Sequence, residues 1–391
     1  MQNMLQSYLP LTACGVIFGL GVLSIMYATA FLLVRLGGAP SAIGRYSTID
    51  GLRGYLASFV FLHHSSIWFF YLRTGEWVAP ESNVYSQFGS SSVALFFMIT
   101  GFLFFYKILS GGQWNWRAFY LNRLFRLAPL YLLAILLLFV FVGAITGWEL
   151  HVSLLKLLGS LFKWLSFTAL GKPDINGFVN TWILVAGVMW SLPYEWVFYL
   201  LLPLLAFLLR ASVPRQMLAI SALTVILFFV LGASLTTMLP FISGILAAKL
   251  LHQAWLTRFA KSRYGSFLLL VALLIVFTCY SSAYEPVPLA LLTIAFILIA
   301  SGASGFGFLN LPTSRFLGEI SYGIYLFHGL ALFVTFHYVL GEASAKTFST
   351  CEYWAAITML APVLILFCYL THITLENPGI AYGRKLEERV K

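Results

Sequence analysis

The sequence predicts an all-α fold, a polytopic transmembrane helical bundle of about eleven spans, and three observations carry that prediction. Hydrophobic residues make up 61% of the 391 and charged residues only 9%, whereas soluble domains are about a quarter charged. Apolar runs near the ~20 residues needed to cross a bilayer recur from one end to the other. Lys and Arg fall mostly on alternate connections, as the positive-inside rule requires of a membrane protein. The formal charge of +10 therefore reads as orienting charge and excludes a nucleic-acid surface. The 17% aromatic content, with 11 Trp and 20 Tyr, suits side chains at headgroup depth.

The spans follow in order. Segment 12–36 is too long for a signal-peptide core and has no basic residue ahead of it, so it is expected to stay as a helix. Then come 51–72, 90–109, 127–148, 193–210, 216–233, 236–252, 264–281, 286–302, 320–341 and 354–376. The turns at Ser234–Leu235 and Glu285–Pro286 are short enough to force antiparallel neighbours. With the N-terminus outside and the C-terminus inside, eighteen of the 23 Lys and Arg lie on inner segments and five on outer ones. The longest outer loop is 149–192, and within it 178–190 (FVNTWILVAGVMW) is apolar but too short for a full span. It is expected to be re-entrant or part of an outer lid. Three cysteines, Cys14, Cys279 and Cys368, lie in apolar runs and Cys351 in a loop, a pattern with no metal spacing and no disulfide framework.

Ionisable groups within spans are costly and mark function. In IDGLRGYLASFVFLHHSS, Asp50 and Arg53 open the second span and His64 follows eleven residues after Arg53. That is about 16 Å along a helix and close to three turns, so His64 reaches mid-membrane on Arg53's side while His63 points about 100° away. A lone buried His usually just bonds a helix carbonyl; beside Asp50 and Arg53 the functional reading is stronger. Arg123 and Arg126 are i, i+3 neighbours at the start of the fourth span, placed to hold phosphate oxygens, with Tyr131 further in. Ordinary positive-inside charge explains that pair equally well. Glu195 opens the fifth span with no basic residue near it in sequence, and either caps the helix or finds a distant His or cation. Glu319 and Glu376 map to the inner interface, His328 lies inside the tenth span, and Thr100–Gly101 suits close packing.

Taken together these segments resemble the acyltransferase 3 family of integral-membrane O-acyltransferases, which includes O-antigen and exopolysaccharide O-acetylases. The resemblance rests on Arg-x10-His at Arg53 and His64, FF-x-x-[ST]-G-F from Phe96 to Phe102, and Arg123-x-x-Arg126 with Pro129 and Tyr131. It continues through W-S-L-x-x-E from Trp190 and Ser191 to Glu195, S-Y-G-I-Y-L-x-H from Ser321 to His328, and E-x-P at Glu376 and Pro378. It implies a ten-helix core, so that 1–48 is an added N-terminal helix with its cytoplasmic linker, 49–378 the acyltransferase bundle and 379–391 a cytoplasmic tail.

The resemblance also implies a reaction. An acyl group, acetyl being the commonest, moves from cytoplasmic acyl-CoA to a hydroxyl of an extracytoplasmic polysaccharide, glycolipid or lipid-linked sugar. No metal is implied, and the expected location is a bacterial inner membrane. His64, Arg53 and Glu195 are the catalytic candidates. Arg123, Arg126 and Tyr131 are candidates for the donor coenzyme, and Asp50, Trp190, Ser191 and His328 for the acceptor. A transporter or flippase of a glycan is the competing reading; it would show an internal repeat, and none is visible. The acceptor, the oligomeric state and the role of His64 as base or acyl carrier stay open.

Overall fold

The computed structural model describes residues 9–38, 46–79, 81–111 and 114–390. Residues 1–8 and 39–45, both within the expected N-terminal segment 1–48, lie outside the described residues. The chain forms α1 (Leu9–Arg35), α2 (Ser47–Thr74), α3 (Asn83–Leu109), α4 (Trp116–Ile145) and the short α5 (Leu154–Leu165). Two 3-10 turns, Thr181–Val185 and Val188–Trp190, lead into α6 (Ser191–Leu208). Then follow α7 (Arg215–Val230), α8 (Leu235–Leu250), α9 (Ala254–Lys261), α10 (Arg263–Cys279), α11 (Pro286–Ala300), α12 (Pro312–Glu319) and α13 (Ser321–Val334). A π-turn (Thr335–Val339) extends α13, and α14 (Glu342–Ala345) leads to α15 (Thr350–Thr371), a second π-turn (His372–Glu376) and α16 (Asn377–Val390). Among the described residues there is no strand, only an isolated bridge between Ile175 and Phe178.

All eleven apolar segments coincide with helices. Among the described residues six helices are long and apolar enough to cross a membrane, seven if the bent pair α8–α9 counts as one span. Arg215–Val230, Arg263–Cys279 and Pro286–Ala300 are apolar but shorter. The helix ends follow local chemistry. Asn115 accepts the Ala118 amide at 3.0 Å to start α4, Ser234 caps α8 through Thr237, and Pro286 occupies the first turn of α11, where its missing N–H is not needed. Gly75 closes α2 in the left-handed conformation, φ 75°, that disfavours side chains.

The chain divides into two compact units. The first comprises 1–95, 183–186 and 253–370. Lipid does not drive helices together as water does, so association depends on close backbone approach and interhelical hydrogen bonds. Here the glycines of the D-G-L-R-G run supply that approach. A Cβ on Gly51 would lie 1.8 Å from the Leu309 carbonyl, and one on Gly54 2.7 Å from the Ser314 carbonyl. From the facing helix, a Cβ on Gly318 would lie 1.8 Å from the carbonyl of Asp50. Thr48 donates to Ile299 O at 2.8 Å and Tyr353 to Ser65 O at 2.6 Å.

The second unit comprises 96–182, 187–252 and 371–391. Gly101, read from sequence as a packing residue, faces the Phe241 carbonyl 2.3 Å from where a Cβ would stand, and Gly244 meets Met98 O at 2.1 Å in the same sense. Segment 379–391, expected as a tail, is instead helical to Val390. It lies along α4, where Gly379 approaches Pro129 and Asn122 donates to Glu387 at 2.9 Å. Loop 149–192 is equally ordered. Asn176 donates to Thr146 Oγ1 and Glu149 O at 2.9 and 2.7 Å, and Trp164 Nε1 to Pro173 O at 2.8 Å. The re-entrant candidate 178–190 is neither a span nor a regular helix, but its two 3-10 turns are largely buried.

Candidate functional site

In the first unit α2 carries His63 and His64 to different neighbours, as their 100° separation requires. His63 Nδ1 lies 2.7 Å from the Tyr85 carbonyl, over Gly89, where a Cβ would meet the ring at 2.6 Å. His64 faces α13. Its Nδ1 lies 3.1 Å from Val60 O and 3.0 Å from Nε2 of His328. The other nitrogen of His328, Nδ1, lies 2.9 Å from Ile324 O.

Carbonyl oxygens only accept, and a neutral imidazole carries one N–H, so with both rings neutral these contacts assign the tautomers. His328 donates from Nδ1 to Ile324 and accepts at Nε2. His64 then carries its hydrogen on Nδ1, shared between Val60 O and His328, and its Nε2 holds the lone pair. His328 is fully buried at 0% exposure, and His64 is partly exposed. A base with its second nitrogen held by a fixed acceptor is the arrangement that general-base catalysis uses.

Next to His328, Gly329 lets a foreign backbone approach. A Cβ there would stand 2.4 Å from the Val185 carbonyl carbon and 2.6 Å from the Ala186 nitrogen. The four residues 183–186, part of the expected lid, belong to the same unit and are 5%, 3%, 0% and 2% exposed. Ala186 is held at φ 50°, a left-handed conformation costly for a residue with a Cβ. Residues 183–186 thus pack on α13 next to His328. Arg53 and Asp50 lie on the first turns of the same α2 and both are partly exposed.

The second unit gathers the other candidates. The Glu195 carboxylate accepts from the Tyr199 hydroxyl one turn on. Arg123 interacts electrostatically with both groups and with Arg126, and its guanidinium lies 5.0 Å over the Phe104 ring. Its buried Nε has no hydrogen-bond partner. Tyr131 donates to the Trp164 carbonyl and stacks on Phe167 at 4.4 Å, 21° between planes. Ser191 donates to Val188 O at 3.3 Å in its own 3-10 turn, and Trp190 is 36% exposed, with its ring 5.9 Å from Tyr194.

Sequence reasoning named His328 but missed its pairing with His64, which no spacing rule reveals across 264 positions. It also missed Tyr199, although i, i+4 spacing from Glu195 was a usable signal. Among the described residues no group of three or more His, Cys, Asp or Glu is placed to hold a metal.

Comparison with known proteins gives the family. No curated protein and no solved structure matches the chain. The acyltransferase 3 family model, an acyltransferase domain, matches residues 46–373. That interval begins at the foot of α2, leaves α1 outside, and contains both histidines and both arginines. The chain belongs to the acyltransferase 3 family.

Proposed function

We propose that this protein is a membrane O-acyltransferase that moves an acyl group, acetyl in the simplest case, from cytoplasmic acyl-CoA to a hydroxyl of an extracytoplasmic glycan or glycolipid. The observation that carries the reading is the His64–His328 pair with its assigned tautomers. His64 Nε2 removes the acceptor hydroxyl's proton as the oxygen attacks the thioester carbonyl. The resulting imidazolium donates from Nδ1 to His328 Nε2, a bond strengthened by its charge. When the tetrahedral intermediate collapses, Nε2 returns the proton to the departing thiolate. Protons balance and His64 ends as it began.

Arg53 stabilises negative charge on the donor or the intermediate, and Asp50 shares its turn of α2. Arg123 and Arg126 hold the donor's phosphates, for which Arg123 has an unused buried N–H. Glu195 and Tyr199 hold Arg123 in place, and Tyr131 anchors the loop beside it. Trp190, the more exposed of the Trp190–Ser191 pair, meets the acceptor. The basic-residue asymmetry supports eleven spans with the N-terminus outside, in a bacterial inner membrane.

Purified protein incubated with radiolabelled acetyl-CoA and a cell-envelope glycolipid extract tests the reading. Label appearing in the glycolipid supports it. Movement of glycolipid across vesicles without label transfer supports the transporter reading instead.

A further inference from the structure

Beyond His64 toward the Thr74 end of α2, three aromatic rings close on one another. Trp68 lies one helical turn past His64, about 6 Å along the axis. Its ring meets Tyr71 at 5.3 Å and Trp77 at 5.7 Å, both edge to face. Tyr71 and Trp77 meet at 5.4 Å, and Trp77 lies over the His64 ring at 6.3 Å, 26° between planes. Ring pairs of this kind are ordinary core packing. The Trp68 indole Nε1, like those of Trp116 and Trp196, is buried and has no hydrogen-bond partner; it belongs to a side chain only 2% exposed that meets Trp77. Buried indole N–H groups nearly always have an acceptor, because leaving one unmade costs about 1–3 kcal/mol.

The surroundings restrict what that acceptor is. Exposure rises from Trp68 to Tyr71 and Trp77, so the cluster opens toward the end of α2. Trp77 stands on the irregular stretch 76–79 and can turn without unwinding a helix. One carboxylate bears on the rim: Glu342, paired with His337 at 2.8 Å, acts electrostatically on Tyr71. Arg73, two residues past Tyr71 on α2, donates to Phe69 O and Phe348 O at 2.7 and 2.6 Å and stacks over Phe69 at 3.6 Å. A rim that carries this carboxylate disfavours the phosphates of a coenzyme A donor. It suits a neutral ring with an apolar C–H face to lie on indole and hydroxyls to meet an N–H and a carboxylate.

We infer that Trp68, Tyr71 and Trp77 form a binding subsite for a pyranose ring of the acceptor, with Trp68 Nε1 donating to a sugar oxygen and the ring stacked on Trp77 beside His64. The inference rests on the acyl-transfer reading for its purpose but not for its test. Saturation-transfer NMR on the full chain in nanodiscs, without any acyl donor, uses methyl β-glucopyranoside, methyl β-galactopyranoside and methyl N-acetylglucosaminide as probes. The expected result is saturation of the ring C–H protons of at least one probe, reduced about fivefold or more in Trp77→Ala and in Trp68→Phe, which keeps a ring but loses the N–H. If Trp77→Ala does not fold, Trp68→Phe and Tyr71→Phe decide the matter. No saturation with any of the three probes in the wild type, or equal saturation in the variants, overturns the inference. Saturation that persists in a protein unable to transfer acyl groups leaves the subsite standing and removes the catalytic reading alone.

Discussion

At His64 the decisive fact is which nitrogen is free, and two carbonyls and a second histidine decide it. His328 accepts from His64 Nδ1 while its own Nδ1 is tied to Ile324. In the proposed mechanism His328 is a positioning residue rather than the acceptor contact expected from the sequence, and removing it should cost rate more than affinity. In His328→Ala the turnover should fall by about tenfold or more with KM for acceptor little changed, since general-base catalysis contributes about 10²–10⁴. His328→Gln, whose side-chain carbonyl can accept the same N–H, should recover most of the loss. Equal damage in Ala and Gln variants would reduce His328 to a packing role. Arg123→Ala should raise the donor KM by about tenfold and leave the acceptor KM alone, the loss expected of about one charge-assisted hydrogen bond; unchanged donor affinity removes Arg123 from that role. Of the candidate site, the place of His64 on Arg53's helix was legible from their eleven-residue spacing and from the cost of an ionisable group in an apolar segment. Its partner was not, because helix periodicity relates residues a few turns apart and says nothing of contacts 264 positions away.

Among the elements, the 3-10 segment in loop 149–192 most changes the picture drawn from sequence. Its hydrophobic run is too short to span, and burial on α13 gives it another use. Residues 183–186 press on the bare backbone of Gly329, so the seat of that segment depends on one missing methyl group. Gly329→Ala should push the segment off α13 at a cost of about 1–3 kcal/mol of overpacking. Transfer should fall and the thermal midpoint drop together, as read by an activity assay and a melting curve; a variant unchanged in both would mean that 183–186 does not cover the site. The helices themselves were legible, since every predicted apolar segment is helical. The order of loop 149–192 was not, because it depends on single side chains such as Asn176 and Trp164 reaching carbonyls fixed elsewhere. Nor was α16: its polar sequence reads as a solvated tail, and only its Gly379 and Gly383 contacts with Pro129 and Phe125 show what it packs on.

For the whole molecule the proposed topology of eleven spans has a direct check in its own cysteines. Cys279 and Cys351 are both exposed, and both fall on the outer side of that arrangement. In single-cysteine variants, a membrane-impermeant maleimide should label each of them in intact cells, while a cysteine placed at Arg384 should react only after permeabilisation. Labelling of Arg384→Cys in intact cells contradicts the orientation.

The central claim, that a histidine in a membrane bundle performs the acyl transfer, meets its most direct test in one comparison. Wild type and His64→Ala, each purified and shown to be folded, are given labelled acetyl-CoA and the acceptor extract, and label in the acceptor is counted. The account predicts a fall of about a hundredfold or more in His64→Ala, with donor binding intact. Transfer by His64→Ala at a rate near that of the wild type would contradict it.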